Sequence, residues 1–158
     1  MGMSGNDFRD LIAAYIVRQF GDANLDVYTE VSLGKTIIGK DRRVDVFVVR
    51  EGDSRAIAIE CKYQDSQGTV DEKIPYALAD LEALRIEACL TYAGEGWSRG
   101  ILHTLEASPL AAFCHPGADR ARTAQTQQLD HVIAATFGLW EKIIPERRRF
   151  AMPEDPNR

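Results

Sequence analysis

The sequence predicts an α/β domain of order αβββαβ followed by further helices. Three observations carry that expectation. An amphipathic stripe opens the chain, three β-type segments follow it, and a second helical stripe then leads into a fourth short apolar strand. The first helix is marked by Ser4 and Asp7, spaced as a capping box, and by Phe8, Leu11, Ile12, Tyr15, Ile16 and Phe20 on one face. Gly21 is placed to end it. The β-type segments are Asp26–Val31, Arg43–Val49 and Ala56–Lys62. The second and third are apolar on both faces, which predicts helices covering both sides of the sheet. Val70–Glu87 reads as a helix with Ile74, Leu78, Leu81 and Leu84 inward; Thr69 and Glu72 form a possible capping box, although Pro75 suits a first turn better. Ala88–Tyr92 reads as the fourth strand. Ser98–Glu106 and Thr123–Ile144 read as two more helices, stopped by Pro145.

Length and composition bound the rest. The chain has 158 residues, 45% of them hydrophobic and 27% charged, which excludes intrinsic disorder and two large domains. Residues 1–152 are expected to form one domain, with 153–158 a flexible tail. No run of about 20 apolar residues and no cleavable leader is visible, so no membrane role and a cytoplasmic location are expected. Cys61, Cys89 and Cys114 are an odd number without a C-x-x-C pair, and His103, His115 and His131 lack zinc-ligand spacing. Trp97 and Trp140, at helical spacing among Leu and Ile, read as core. The net charge of −5 does not by itself suggest a nucleic-acid partner.

The most informative inference concerns the second and third strands. Glu51–Ser54 is the turn between them, with its midpoint between Gly52 and Asp53. Antiparallel pairing about that point sets Asp45 opposite Glu60, whether the loop has two residues or four. Opposed residues share a face, and strand period two adds Lys62 to it while turning Cys61 away. Two carboxylates so close in apolar strands repel and are costly to desolvate unless a cation lies between them. Lys62 offsets one charge. A divalent metal offsets both, and carboxylate oxygens with a backbone carbonyl, for which Cys61 is the natural donor, suit Mg²⁺ or Mn²⁺. A plain salt-bridged cross-strand pair is the bland alternative; buried ionisable clusters without a task are uncommon.

Asp45 followed by Glu60-Cys61-Lys62, on such a hairpin and in this element order, resembles the D…(D/E)-x-K signature of the PD-(D/E)XK nuclease superfamily over about residues 6–93. Val44 stands where many members have proline. The resemblance implies a restriction-endonuclease-like fold, with a central mixed sheet flanked by helices and extra C-terminal helices. It also implies Mg²⁺-dependent hydrolysis of DNA, with Asp45 and Glu60 on the metal and Lys62 assisting the attacking water. Glu30 is a candidate further metal ligand or a plain surface Glu, and Gln64, on the Lys62 face, a candidate contact to a phosphate or to metal-bound water, or else a solvated polar strand end. Lys73, at the start of the second helix, is a candidate DNA contact, and a homodimer is plausible from the family. A catalytically silent nucleic-acid-binding or scaffold protein of the same fold is the alternative.

Local charge supports a nucleic-acid partner better than the total does. Residues 31–50 carry Lys35, Lys40, Arg42, Arg43 and Arg50 against Asp41 and Asp45, beside the predicted site. Gly34 and Gly39 suggest a mobile loop there, able to follow a phosphate backbone. Leu33-Gly34-Lys35-Thr36 imitates the end of a Walker phosphate loop, but Thr29 stands at its first glycine position and no long helix follows, which excludes an NTPase.

Overall fold

In the computed structural model, which describes residues 2–157, helix α1 (Gly5–Phe20) begins as its sequence dictates. Ser4 Oγ accepts the Asp7 N–H at 3.1 Å while the Asp7 carboxylate accepts the Ser4 N–H at 3.1 Å. Its stripe puts Phe8, Ile12, Tyr15, Ile16 and Phe20 wholly out of solvent, each contributing about 1.5–3 kcal/mol of burial. A 3-10 turn, Gly21–Ala23, leads through Asn24 at φ 59° into the sheet.

Strands β1 (Leu25–Lys35), β2 (Asp41–Arg50) and β3 (Ala56–Tyr63) form an antiparallel meander. Helix α2 (Val70–Glu82) carries the chain across to β4 (Glu87–Ala93), parallel to β3. Helix α3 (Arg99–Ala107) precedes a short strand β5 (Ala111–Phe113), parallel to β4. Helices α4 (Gln127–Phe137) and α5 (Trp140–Ile143) follow. The mixed sheet runs β1-β2-β3-β4-β5, with α1 and α4 packed on one face and α2 and α3 on the other. Alternation along β3 divides its side chains accordingly. Ile57, Ile59 and Cys61 join the α1 side, which leaves Ala58, Glu60 and Lys62 for the α2 side. No described helix is long and apolar enough to cross a membrane.

Several expectations need correction. β5 was not anticipated, because three residues are too short to show a period. The stretch read as one helix over 123–144 is two, broken at Gly138, whose φ of 69° supplies a left-handed C-cap. α2 ends at Glu82, five residues early, because the chain must turn by Glu87 to pair with Ile57 on β3. The Thr69 capping box does not form. Gln64 Oε1 instead accepts the Val70 N–H at 3.1 Å, so a strand residue caps the helix. Trp97 is buried, but Trp140 is 39% exposed and lies against His131 instead of entering the core.

Two buried polar contacts fasten α1 to α4 on one face of the sheet. Tyr15 on α1 donates to Asp130 on α4 at 2.5 Å, and Thr126 Oγ1 donates to the other Asp130 oxygen at 3.0 Å. Gly94, at φ 99°, passes so close to β3's end that a Cβ there would lie 2.1 Å from the Gln64 carbonyl oxygen.

Candidate active site

The observed β2–β3 register matches the one read from the turn. Val46 pairs with Ile59 and Val49 with Ala56, and Arg50 N–H donates to Arg55 O at 2.8 Å. The regular ladder ends at the Val46–Ile59 pair, one step short of Asp45 and Glu60. Hydrogen-bonded pairs alternate in an antiparallel ladder, so a continued one would join Cys61 to Val44. Instead, Cys61 N–H donates to Asp45 Oδ2 at 2.8 Å. The Asp45 side chain therefore replaces a ladder bond, and the strands part at this point. The Cys61 carbonyl, which faces the same way as its N–H, is left beside the opening, while its thiol is buried on the α1 side and held in the neutral form by burial.

Glu60 and Lys62 line a cleft of about 350 Å³ with Arg42, Arg43, Lys73 and Tyr76. Burial first, and then the charge of Asp45, push Glu60 up from 4.5 to about 8, with Lys62 acting in the opposite sense. Lys62 is near enough to act on Glu60 without making a direct ion pair among the described residues. Asp45, Glu60 and Lys62 therefore meet as the hairpin register required, and the charged form of Glu60 is disfavoured there. A larger depression of about 640 Å³ between α2 and β4, lined by Leu78, Leu84, Ile86 and Leu110, lies away from this pair.

Other candidates stand differently. Glu30 falls in register with Asp45, between the pairs Thr29–Val46 and Val31–Val44, yet its backbone turns to φ 53° and its carboxylate meets Arg9 of α1 at 3.0 Å. Gln64 is 5% exposed, so it is no solvated strand end. Its amide nitrogen donates to Asp71 and to Gly96 O, each at 2.9 Å, and its oxygen caps α2, which leaves it holding the fold.

Among the cations read as nucleic-acid contacts, Arg42 is half-buried and forms a two-pronged pair with Asp80, at 3.0 and 2.7 Å, the side chains being 11% and 12% exposed. Its guanidinium is thus held by a carboxylate at the cleft, a partnership that sequence spacing could not show, because Asp80 lies 38 residues away. Lys35 pairs with Asp41 across the hairpin. Lys40, Arg43 and Lys73 are exposed and enter no ion pair among the described residues. The segment read as a mobile loop is a closed hairpin turn, with Thr36 N–H donating to Lys40 O at 2.7 Å. Asp80 is the site-shaping residue that sequence reasoning missed. Its signal was a carboxylate on the inward face of α2.

Among the described residues, no cluster of three or more His, Cys, Asp or Glu side chains could hold a metal. Two carboxylates and one main-chain carbonyl remain. That is a fitting donor set for Mg²⁺, which usually takes one or two carboxylates and keeps water and substrate oxygens for its other positions.

The profile of a family described as a PD-(D/E)XK nuclease superfamily domain matches residues 4–140. Solved structures similar to this chain include a protein of unknown function, at 14% identity and a TM-score of 0.40, covering 62% of this chain and 53% of that one. A repair endonuclease from Pyrococcus abyssi is similar at 17% identity and a TM-score of 0.37, over 65% of this chain and 44% of that one. This chain thus spans about half of each. No curated protein matches it.

Proposed function

The chain belongs to the PD-(D/E)XK nuclease superfamily, and from that premise we propose that it is a Mg²⁺-dependent nuclease hydrolysing DNA phosphodiester bonds in the cleft beside Glu60. The observation that carries this reading is the half-buried Asp45–Glu60 pair, in which burial and the Asp45 charge raise Glu60, with Lys62 on the same face. Asp45, Glu60 and the Cys61 carbonyl would hold the ion, with Mn²⁺ as a substitute. When bound, Mg²⁺ supplies Lewis-acid polarisation of the phosphate and a more acidic water.

The chain's own residues do the rest. The Cys61 N–H fixes one oxygen of Asp45 and leaves the other oxygen available to a ligand. Glu60 must give up its proton to take a cation, so the ion's arrival and proton release are linked. Lys62 places an ammonium where it can orient the attacking water and offset charge developing on the phosphate. Arg43 and Lys73, on opposite walls, position the strand through its phosphates.

The choice of DNA over RNA rests on the family. Plasmid and oligonucleotide cleavage with Mg²⁺ or Mn²⁺ tests the reading, with Asp45→Ala and Lys62→Ala as controls. Cleavage by the wild type and loss of at least about 100-fold in either variant are expected. Full-rate cleavage by both variants, or none by the wild type with either metal, refutes it.

A further inference from the structure

The turn between β1 and β2 is built to keep its shape. Thr36 N–H donates to Lys40 O at 2.7 Å, Gly39 N–H to Thr36 O at 3.0 Å, and Lys40 N–H to Thr36 Oγ1 at 3.1 Å. Gly34 and Gly39 take φ of 73° and 79°, and a Cβ at either would touch nothing. These glycines therefore serve the turn's backbone conformation and not close packing. The turn is also bolted to α2, because Asp80 Oδ1 accepts the Ile37 N–H at 3.0 Å while the same carboxylate grips Arg42.

This braced frame presents two β-branched aliphatic side chains to solvent. Ile37 is 49% exposed and Ile38 61%. Hairpin tips usually carry polar or small residues, and nothing in the core explains this pair. Their surroundings indicate what could cover them. Lys40 and Arg43 flank the tip unpaired among the described residues, while Lys35 is paired with Asp41, and Thr36 and Arg43 also line the cleft that holds Glu60 and Lys62. Apolar residues beside cations, at the rim of the cleft that holds Glu60 and Lys62, match the wedges that proteins press against unstacked bases.

We propose that Ile37 and Ile38 form a wedge that seats on an exposed base face, so that the protein acts where duplex stacking is already interrupted, at a branch or frayed end. This inference rests on the nucleic-acid reading above. Forcing a wedge into continuous duplex must be offset by many backbone contacts. A chain at −5, with Arg42 and Lys35 committed to carboxylates, has few to offer. A step that is already open does not impose that cost.

The test compares binding of the full chain, with Ca²⁺ replacing Mg²⁺, to fluorescein-labelled DNA of one sequence in two forms, a continuous duplex and a three-way branch. The wild type should prefer the branch by about tenfold, the scale of one lost stacking contact. The Ile37→Ser/Ile38→Ser variant should fall to near-equal binding, with its duplex affinity and melting temperature unchanged. A 2-aminopurine beside the branch should brighten with the wild type and not with the variant.

Equal binding of both forms by the wild type, or a branch preference that survives in the variant, overturns the wedge. So does a wild-type dimer that becomes monomeric in the variant, since the isoleucines would then serve self-association. Cleavage without branch preference defeats the wedge and leaves the nuclease reading standing. Branch preference without any cleavage does the reverse.

Discussion

Glu60→Gln should stabilise the metal-free protein, by an amount that grows as pH rises from about 4.5 to about 8. In the folded chain, burial and the nearby Asp45 charge raise Glu60 from 4.5 to about 8. Below pH 4.5 the carboxyl is protonated in both folded and unfolded chains and carries no penalty. Between 4.5 and 8 the unfolded chain releases the proton that the folded chain keeps, so stability falls as pH rises. Above 8 the full penalty is present. At about 1.4 kcal/mol per pH unit the gap corresponds to roughly 5 kcal/mol, an upper limit because the parted strands can admit water. Glutamine has the shape of the neutral acid and cannot ionise. In EDTA, urea denaturation at pH 5 should barely separate variant from wild type. At pH 9 the variant should gain about 2–5 kcal/mol, or roughly 5–15 °C in Tm for a chain of this size. Mg²⁺ should then raise the wild-type Tm at pH 9 and leave the variant's nearly unchanged. A gain that is the same at both pH values, or a loss at pH 9, would refute the claim that the fold disfavours the charged form of Glu60.

Three further outcomes follow from contacts around the site. Asp80→Asn removes the charge facing the half-buried Arg42 and weakens the tether at Ile37, so it should cost about 2–4 kcal/mol by urea denaturation and speed hydrogen exchange at the Ile37 amide. Gly94→Ala must displace the Gln64 carbonyl and adopt a φ of 99°; a loss of about 3 kcal/mol or more, or insoluble protein, is expected on expression and thermal melting. Tyr15→Phe deletes one of the hydrogen bonds to buried Asp130 and should cost about 1–2 kcal/mol in chemical denaturation, without altering cleavage.

What could be read from the residues was what depends on local period and symmetric turns. The α1 cap, the register about Gly52–Asp53 and the shared face of Asp45, Glu60 and Lys62 all follow from spacings of a few residues. What could not be read depends on partners far along the chain. Arg42 looked available because nothing near it is acidic on its face, and only the packing of α2 brings Asp80 to it. Gln64 looked like a strand end open to solvent, and only the return of Gly94 and Gly96 after β4 buries it. Glu30 lay in the right register, but the turn of its backbone into positive φ sends its carboxylate to Arg9. Local charge counts failed for the same reason. Of the five cations in residues 31–50, Lys35, Arg42 and Arg50 are each held by an aspartate.

The parting of β2 from β3 links the fold to its chemistry. A regular ladder through Asp45 and Glu60 would hold two like charges on one face and would use the Cys61 backbone for pairing. By taking the Cys61 N–H itself, Asp45 ends the ladder where the second carboxylate begins, and so opens a main-chain carbonyl to a ligand. Burial, and then the Asp45 charge, leave the charged form of Glu60 disfavoured at the opening. Rigidity at this point comes from outside the pair: α1 backs the apolar face of the hairpin, and Asp80 clamps the opposite wall through Arg42 and Ile37. The strands can therefore carry an unfavourable charge pair without collapsing around it, which is what a site needs if a divalent cation is to be the most effective means of relieving that repulsion.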